Sequence, residues 1–279
     1  MNANLAASPL IWRWWRVRAA ALVAGAAIIG FGIMPVAAAG TDPFTLNSNG
    51  FDVSYPNCTS TLPSGDSFAI VGVTGGRPFS TYSCFGKLWS GSQKATDGTP
   101  SLYFNTGYSG AYGRDISSFC ASAEKAHFSG PTGLSRHLQK QAQQAWEIGC
   151  SEVAYALTAF NSAFRSGAEQ PTMLFADIET GNSWSSNVTL NQSAIDGISW
   201  AMGSNGLGGI YSSAAMWATI TGSYKFSPTP NVSANWVVGA GATCSSSPFD
   251  TTYPTPTWVV QGSATGGVDR DTGCRRVPG

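Results

Sequence analysis

The chain has 279 residues, in which 15 lysines and arginines are balanced by 15 aspartates and glutamates, and only 11% of residues are charged. No basic patch is present, which argues against binding to nucleic acid. The length is sufficient for one large domain with a substantial core.

The N-terminal segment has the pattern of a secretory signal peptide. Three arginines between positions 13 and 18 precede an apolar run, and small residues up to Ala39 follow. This order predicts a signal peptide at 1–39 and a protein that is secreted, extracellular or associated with the cell wall. An uncleaved anchor is the alternative, because the apolar run approaches the roughly 20 residues of a membrane span. Glycines and Pro35 interrupt the run and favour cleavage.

The remaining chain is predicted to form one domain at 44–279. No later segment is apolar enough to cross a membrane, and removal of the three arginines leaves this domain mildly acidic. A monomer is expected.

Six cysteines lie beyond the signal peptide, and an even number in an exported chain indicates disulfides. Among fifteen possible pairings, we predict sequential ones, because each would join neighbouring loops of an alternating strand and helix chain. The predicted pairs are Cys58 with Cys84, Cys120 with Cys150 and Cys244 with Cys274. No zinc site is expected, because the cysteine spacings do not suit one and His127 and His137 are isolated. No other cofactor is predicted.

Short β-rich runs alternate with helix-length patterns along this domain. Strands are predicted at 51–55, 68–73, 102–105, 173–178, 209–211, 236–239 and 258–261, helices at 138–164 and 191–204, and a long loop at 109–135. Strands that are apolar on both faces indicate a parallel sheet. The leading fold class is therefore α/β, a (β/α)8 TIM-type barrel with regular or irregular strands. An open doubly wound sheet is the alternative.

Carboxylates stand at the ends of several predicted strands. Asp52 lies inside a short apolar strand, where it either faces a polar site or turns the chain into the next loop. Asp177 and Glu179 alternate with Ile178 and therefore point to the same side of their strand. When two carboxyls lie this close, the pKa of one of them is raised, as a general acid requires. The alternative is that the strand simply runs out into a solvated loop.

The last apolar run is followed by Asp269, Arg270 and Asp271. In one interpretation the two aspartates add carboxyls where the barrel closes. In the other, the segment lies on the surface and Arg270 pairs with a neighbour there.

Together these segments resemble family 25 glycoside hydrolases, which are lysozyme-like barrels. The resemblance runs from 51 to 274 and follows the order D-V-S, D-x-E, I-Y-S, N-W-V-V-G-A, W-V-V-Q and V-D. The segments F-D-V-S-Y-P, V-G-V-T-G-G-R-P-F and D-I-E-T-G-N-S-W, with the cysteine pattern, are more similar still to secreted family 25-like barrel proteins of actinomycete-type bacteria. Many of those proteins have no assigned activity.

The resemblance implies a groove that binds peptidoglycan or another polysaccharide. By matching position, Glu179 is the general acid and Asp177 orients a water molecule or the N-acetyl group of the substrate. Asp52 and Asp269 complete an acidic floor that stabilises an oxocarbenium-like transition state. Whether water or the acetamido oxygen attacks is left open.

Aromatic residues near the strand ends are candidates for stacking on sugar rings. They are Tyr55, Trp184, Tyr211, Trp236 and Trp258. Packing in the core is the alternative role for each. Gln261 is a further predicted substrate-binding residue, because it lies where these barrels frequently have a W-Q pair, although here two valines separate it from Trp258.

The two main functional hypotheses are a secreted glycosidase and a non-catalytic glycan-binding or cell-envelope protein on the same barrel. The loop at 262–267 is short and Gly75, Gly76, Arg77 and Pro78 replace a more usual polar turn, so the specificity for peptidoglycan is open. A serine hydrolase is disfavoured, because Gly107–Gly110 does not form a G-x-S-x-G motif.

Overall fold

A computed structural model describes residues 44–96, 98–164, 169–203, 208–222, 232, 234–246 and 256–274. The chain divides into two compact units, Met1–Ala38 and Ala39–Gly279, and all elements below belong to the second unit. The predicted signal peptide at 1–39 lies outside the described residues. Within them, no helix is both long and apolar enough to cross a membrane.

The described residues form eight β-strands and five α-helices. The strands are β1 (Asn49–Val53), β2 (Phe68–Gly72), β3 (Ser101–Asn105), β4 (Leu174–Asp177), β5 (Gly208–Ser212), β6 (Ala234–Val238), β7 (Thr257–Gln261) and β8 (Asp269–Gly273). The helices are α1 (Phe85–Ala95), α2 (Ser118–His127), α3 (Arg136–Ala163), α4 (Val188–Gly203) and α5 (Ala214–Thr221).

The strands close into a barrel in the order β1 to β8. This confirms the predicted barrel and excludes the open doubly wound sheet. Strands β1 to β7 are parallel, whereas β8 is antiparallel to both β7 and β1. A parallel strand would need a crossover of a dozen or more residues. The connection before β8 is instead a short turn, in which Gly266 and Gly267 take positive φ angles of 65° and 78°.

The core has two layers. One fills the barrel and includes Ile70, Phe175 and Val259, and Phe44 packs against Phe68 with ring centroids 4.8 Å apart. The other lies between the barrel and the helices and includes Trp89 and other buried side chains of the strands and helices.

Helices α3 and α4 cross at glycines. A Cβ at Gly149 would overlap the carbonyl oxygen of Ala194, and one at Gly197 would overlap that of Trp146. The two backbones are therefore in direct contact, which no residue with a side chain would permit at these positions.

The three predicted disulfides are present in the predicted pairing. The predicted loop at 109–135 is different, because it contains a 3-10 helix (Gly110–Asp115) and α2. Ser117 caps α2 by accepting a hydrogen bond from Cys120 N at 3.2 Å. Cys120 is the buried residue of this helix, so the sequence carries no apolar periodicity that would reveal it.

Candidate active site

A cavity of about 230 Å³ opens among the ends of the strands, where β1 to β7 finish and β8 begins. It is lined by Asp52, Ser54, Tyr55, Gly76, Tyr103, Asn105, Asp177, Glu179, Tyr211, Trp236, Gln261 and Asp269. All four predicted carboxyls are among these residues, and so are all of the predicted sugar-binding residues except Trp184 and Trp258. The barrel therefore brings together side chains that are far apart in sequence.

Asp177 ends β4 and is held by the neighbouring strand. Asn105 donates from Nδ2 to Asp177 Oδ2 at 2.6 Å, and its own Oδ1 accepts from Thr74 Oγ1 at 2.8 Å. The other carboxyl oxygen, Oδ1, is buried and has no hydrogen-bond partner among the described residues. Asp177 is one of the residues that line the cavity.

Burial raises the pKa of Asp177 well above its ordinary value, and the nearby charge of Glu179 raises it further. The hydrogen bond from Asn105 opposes this shift. Burial also raises the pKa of Glu179, which is only partly buried. The pair therefore binds protons more readily than two isolated carboxyls would.

Asp52 is linked across the barrel to β7 and β5. Tyr211 donates from its hydroxyl to Gln261 Oε1 at 2.7 Å, and Gln261 donates from Nε2 to Asp52 Oδ2 at 2.7 Å. Both ends of the Gln261 amide are thus engaged by protein groups. The sequence predicted Gln261 to bind substrate, and the structure places it where it orients Asp52.

Burial raises the pKa of Asp52 to about 7. The hydrogen bond from Gln261 opposes this effect, and the charge of Asp269 adds to it. Because Asp52 is only 7% exposed, little solvent is available to stabilise its charge.

The antiparallel direction of β8 places its first residues at the same end of the barrel as the other carboxyls. Asp269 lies opposite Asp52 in the β1 and β8 register. Asp271 is buried and accepts from Trp236 Nε1 at 2.9 Å, while its Oδ2 has no hydrogen-bond partner among the described residues. Arg270 alternates to the other face, where its ion pair with Asp66 measures 2.6 Å.

Burial, followed by the charge of Asp52, raises the pKa of Asp271 well above its ordinary value. The pKa of the more exposed Asp269 is raised by burial. Asp271 was considered in the sequence as a closing carboxyl but was not predicted as a site residue, although alternation from Asp269 signals that both face the same way.

The aromatic candidates differ in exposure. Trp236 is 2% exposed and contacts Tyr211 with ring centroids 4.5 Å apart, so it supports the cavity wall. Tyr55 is 49% exposed and lies over Gly76, whose φ is 79°. Trp258 is buried in the barrel core. Tyr55 is therefore the candidate with the largest free surface at the rim.

Trp184 lies outside the cavity lining and has a structural contact with the site. It is partly buried against the core, and it donates from Nε1 to the backbone oxygen of Glu179 at 3.0 Å. Asn182 similarly donates from Nδ2 to the backbone oxygen of Asp177 at 3.0 Å. The loop after β4 thus folds back on the two residues that it follows.

No protein-family model and no curated protein matches the chain. Among solved structures, it is similar to the bacterial lysozyme from Streptomyces coelicolor, with 18% identity and a TM-score of 0.50 over 82% of this chain and 93% of that chain. A family GH25 lysozyme from Aspergillus fumigatus has 16% identity and a TM-score of 0.46 over 83% and 94%. The first likeness shows the fold: this chain has the same kind of barrel as the Streptomyces coelicolor protein.

Proposed function

We propose that this protein is a secreted glycosidase that hydrolyses peptidoglycan or another N-acetylated polysaccharide. The observation that carries the proposal is the meeting of Asp177 and Glu179 with Asp52 and Asp269 around one open cavity. Glycosidases require a protonated carboxyl beside a second carboxyl group. The lysozyme-like fold and the three disulfides, which persist in oxidising compartments, support the same assignment.

In this proposal Glu179 is the general acid. Burial raises the pKa of both Asp177 and Glu179, so the pair holds a proton to higher pH than an isolated carboxyl would. A bound polysaccharide would cover Glu179 and remove the water that now stabilises its charge. The resulting increase in pKa brings the proton to Glu179, from which it passes to the leaving glycosidic oxygen.

The remaining carboxyls act on the sugar ring. The unpartnered Oδ1 of Asp177 accepts a hydrogen bond from an attacking water or from the acetamido N–H. Asp52, oriented by Gln261, stabilises positive charge as the glycosidic bond breaks. The rim residue Tyr55 offers an aromatic face to a neighbouring sugar.

The test measures release of reducing ends and soluble fragments from purified peptidoglycan and from a panel of N-acetylated polysaccharides. We expect Glu179→Gln to lower kcat by about 10²-fold or more, because it cannot donate the proton. The matched control is Glu147→Gln, since Glu147 lies on α3 and outside the cavity. An inactive wild type, or full activity of Glu179→Gln, would refute the proposal.

A glycan-binding protein without catalysis is the second candidate, and the exposure of Tyr55 beside a polar cavity favours it. It predicts that the wild type sediments with insoluble peptidoglycan but releases no fragments at any pH. Tyr55→Ala would then weaken sedimentation, whereas Glu179→Gln would leave it nearly unchanged.

A further inference from the structure

A carboxyl group lies buried outside the cavity, on the helix that packs behind it. Glu152 of α3 is 2% exposed, and its Oε1 accepts a hydrogen bond from the backbone N–H of Gly107 at 3.0 Å. Its Oε2 is buried and has no hydrogen-bond partner among the described residues. Burial of a carboxyl is unfavourable, so its presence here requires an explanation beyond packing.

Gly107 belongs to the loop after β3, and this loop is bonded to the loop after β4. Tyr108 N donates to the backbone oxygen of Ser183 at 2.7 Å, and a Cβ at Gly107 would collide with that same oxygen. The next residue, Trp184, donates to the backbone oxygen of Glu179 at 3.0 Å. Contacts therefore run from Glu152 through both loops to Glu179.

The same loop also contacts Asp177. Thr106, which precedes Gly107, donates from Oγ1 to the backbone oxygen of Asp177 at 2.6 Å. The backbone oxygens of Asp177 and Glu179 are thus held by Thr106 and Trp184. Thr106 directly precedes Gly107, and Trp184 directly follows Ser183, whose backbone oxygen accepts the hydrogen bond from Tyr108. A displacement of Gly107 would move both Asp177 and Glu179.

We propose that Glu152 is a positioning residue that fixes the β3 loop from behind and, through it, the loop that carries Glu179. This inference rests on the proposed function. Burial raises the pKa of Glu152 well above its ordinary value, partly opposed by the Gly107 hydrogen bond. The neutral carboxyl has nearly the shape of a glutamine amide, and Oε1 is an acceptor in both.

The experiment compares Glu152→Gln, which keeps the acceptor, with Glu152→Leu, which removes it. We expect Glu152→Leu to lower kcat on peptidoglycan by about 10- to 100-fold with KM within about threefold, since small misplacements of a catalytic group have large effects on rate. Glu152→Gln should remain within about threefold of the wild type. Glu147→Leu on the same helix is the control.

Amide hydrogen exchange provides a readout that needs no substrate. In Glu152→Leu, exchange should accelerate at Gly107 and Tyr108 and across Glu179–Trp184, while Glu152→Gln should resemble the wild type. Glu152→Asp, whose shorter side chain cannot reach Gly107, replaces Glu152→Leu should the latter fail to fold.

The inference is overturned if amide exchange is unchanged in folded Glu152→Leu or Glu152→Asp. It is also overturned if Glu152→Gln loses as much kcat as Glu152→Leu. An inactive wild type counts against the proposed function alone, because the exchange data still decide whether Glu152 positions the two loops.

Discussion

The carboxyl of Asp52 shows how single side chains determine the charge of the cavity. Its pKa of about 7 means that the folded chain binds a proton here that the unfolded chain releases near pH 4. Between these two values the folded state binds more protons, so stability falls as the pH rises. The contribution is fully present below the unfolded pKa and is lost above the folded one.

Replacement of Asp52 by Asn should therefore stabilise the protein more at pH 8 than at pH 4.5. We expect the difference in free energy of unfolding to grow by on the order of 3 kcal/mol across this range. Urea unfolding at several pH values measures it. Asp177 and Asp271 contribute with the same sign, so a residual slope should persist in the variant. Asp115→Asn, at a surface ion pair, is the control, and parallel curves for Asp52→Asn would contradict the expectation.

Gln261 should tune the pH dependence of the proposed reaction. Gln261→Met keeps the side-chain length but removes the donor that lowers the pKa of Asp52. The acidic limb of the pH profile of kcat/KM should move upward by about one pH unit, as expected for the loss of a hydrogen bond to a charged group. Tyr211→Phe should cause a smaller shift in the same direction, because the amide remains. An unmoved limb would show that Asp52 does not act in its ionised form.

Sequence could identify the carboxyls that interrupt apolar strands, namely Asp52, Asp177 and Glu179, because a charge there needs a polar environment. It could not identify Tyr103 as a cavity residue, since which face of a strand points into a barrel depends on register. Glu152 did leave a signal. Glu152 lies four residues after Ile148 and four before Ala156, and residues at this spacing form a buried face of α3.

At the scale of elements, the crossing of α3 and α4 depends on backbone contact at Gly149 and Gly197. Helix α3 contacts β3 and helix α4 contacts β5, the two strands on either side of β4. Strand β8 is not among the seven strands predicted from the sequence. Its residues D-R-D-T-G have no apolar alternation, yet the paired glycines before it are a hairpin signal.

Gly149→Ala should destabilise the protein by about 1–3 kcal/mol, because the new methyl group meets the backbone of Ala194 and cannot be relieved by a side-chain rotation. Gly86→Ala in α1 is the matched control. No atom lies within 4 Å of its added Cβ, so the change should be neutral or stabilise by about 0.5–1 kcal/mol. Chemical denaturation of both variants measures the difference, and equal effects would contradict the close crossing.

At the scale of the whole domain, two disulfides join segments that flank strands of the barrel, Cys58–Cys84 around β2 and Cys244–Cys274 around β7 and β8, whereas Cys120–Cys150 joins α2 to α3. Cys58 follows β1 and Cys84 precedes α1, at a sequence separation of 26. The bond encloses β2 and the segments on either side of it, including the Gly76 turn beneath Tyr55. It therefore stabilises the rim of the cavity as well as the fold.

Replacement of Cys58 and Cys84 together by Ser should lower the free energy of unfolding by about 3–4 kcal/mol, from the loop closed by the bond. Thermal unfolding with and without reductant measures this. Reductant cannot lower the Tm of the double variant through this bond, because the bond is absent. A Tm of the double variant equal to that of the wild type would contradict the expectation.

The antiparallel hairpin of β7 and β8 also bears on when the site comes into existence. During synthesis β1 to β7 can pair in order as they emerge, but the sheet remains open until β8 joins the first strand to the seventh, a contact of very high sequence separation. Asp269 and Asp271 arrive only with this last step. We therefore expect a nascent chain to carry Asp52, Asp177 and Glu179 before Asp269 and Asp271, and to complete the site only after β8 has joined the barrel.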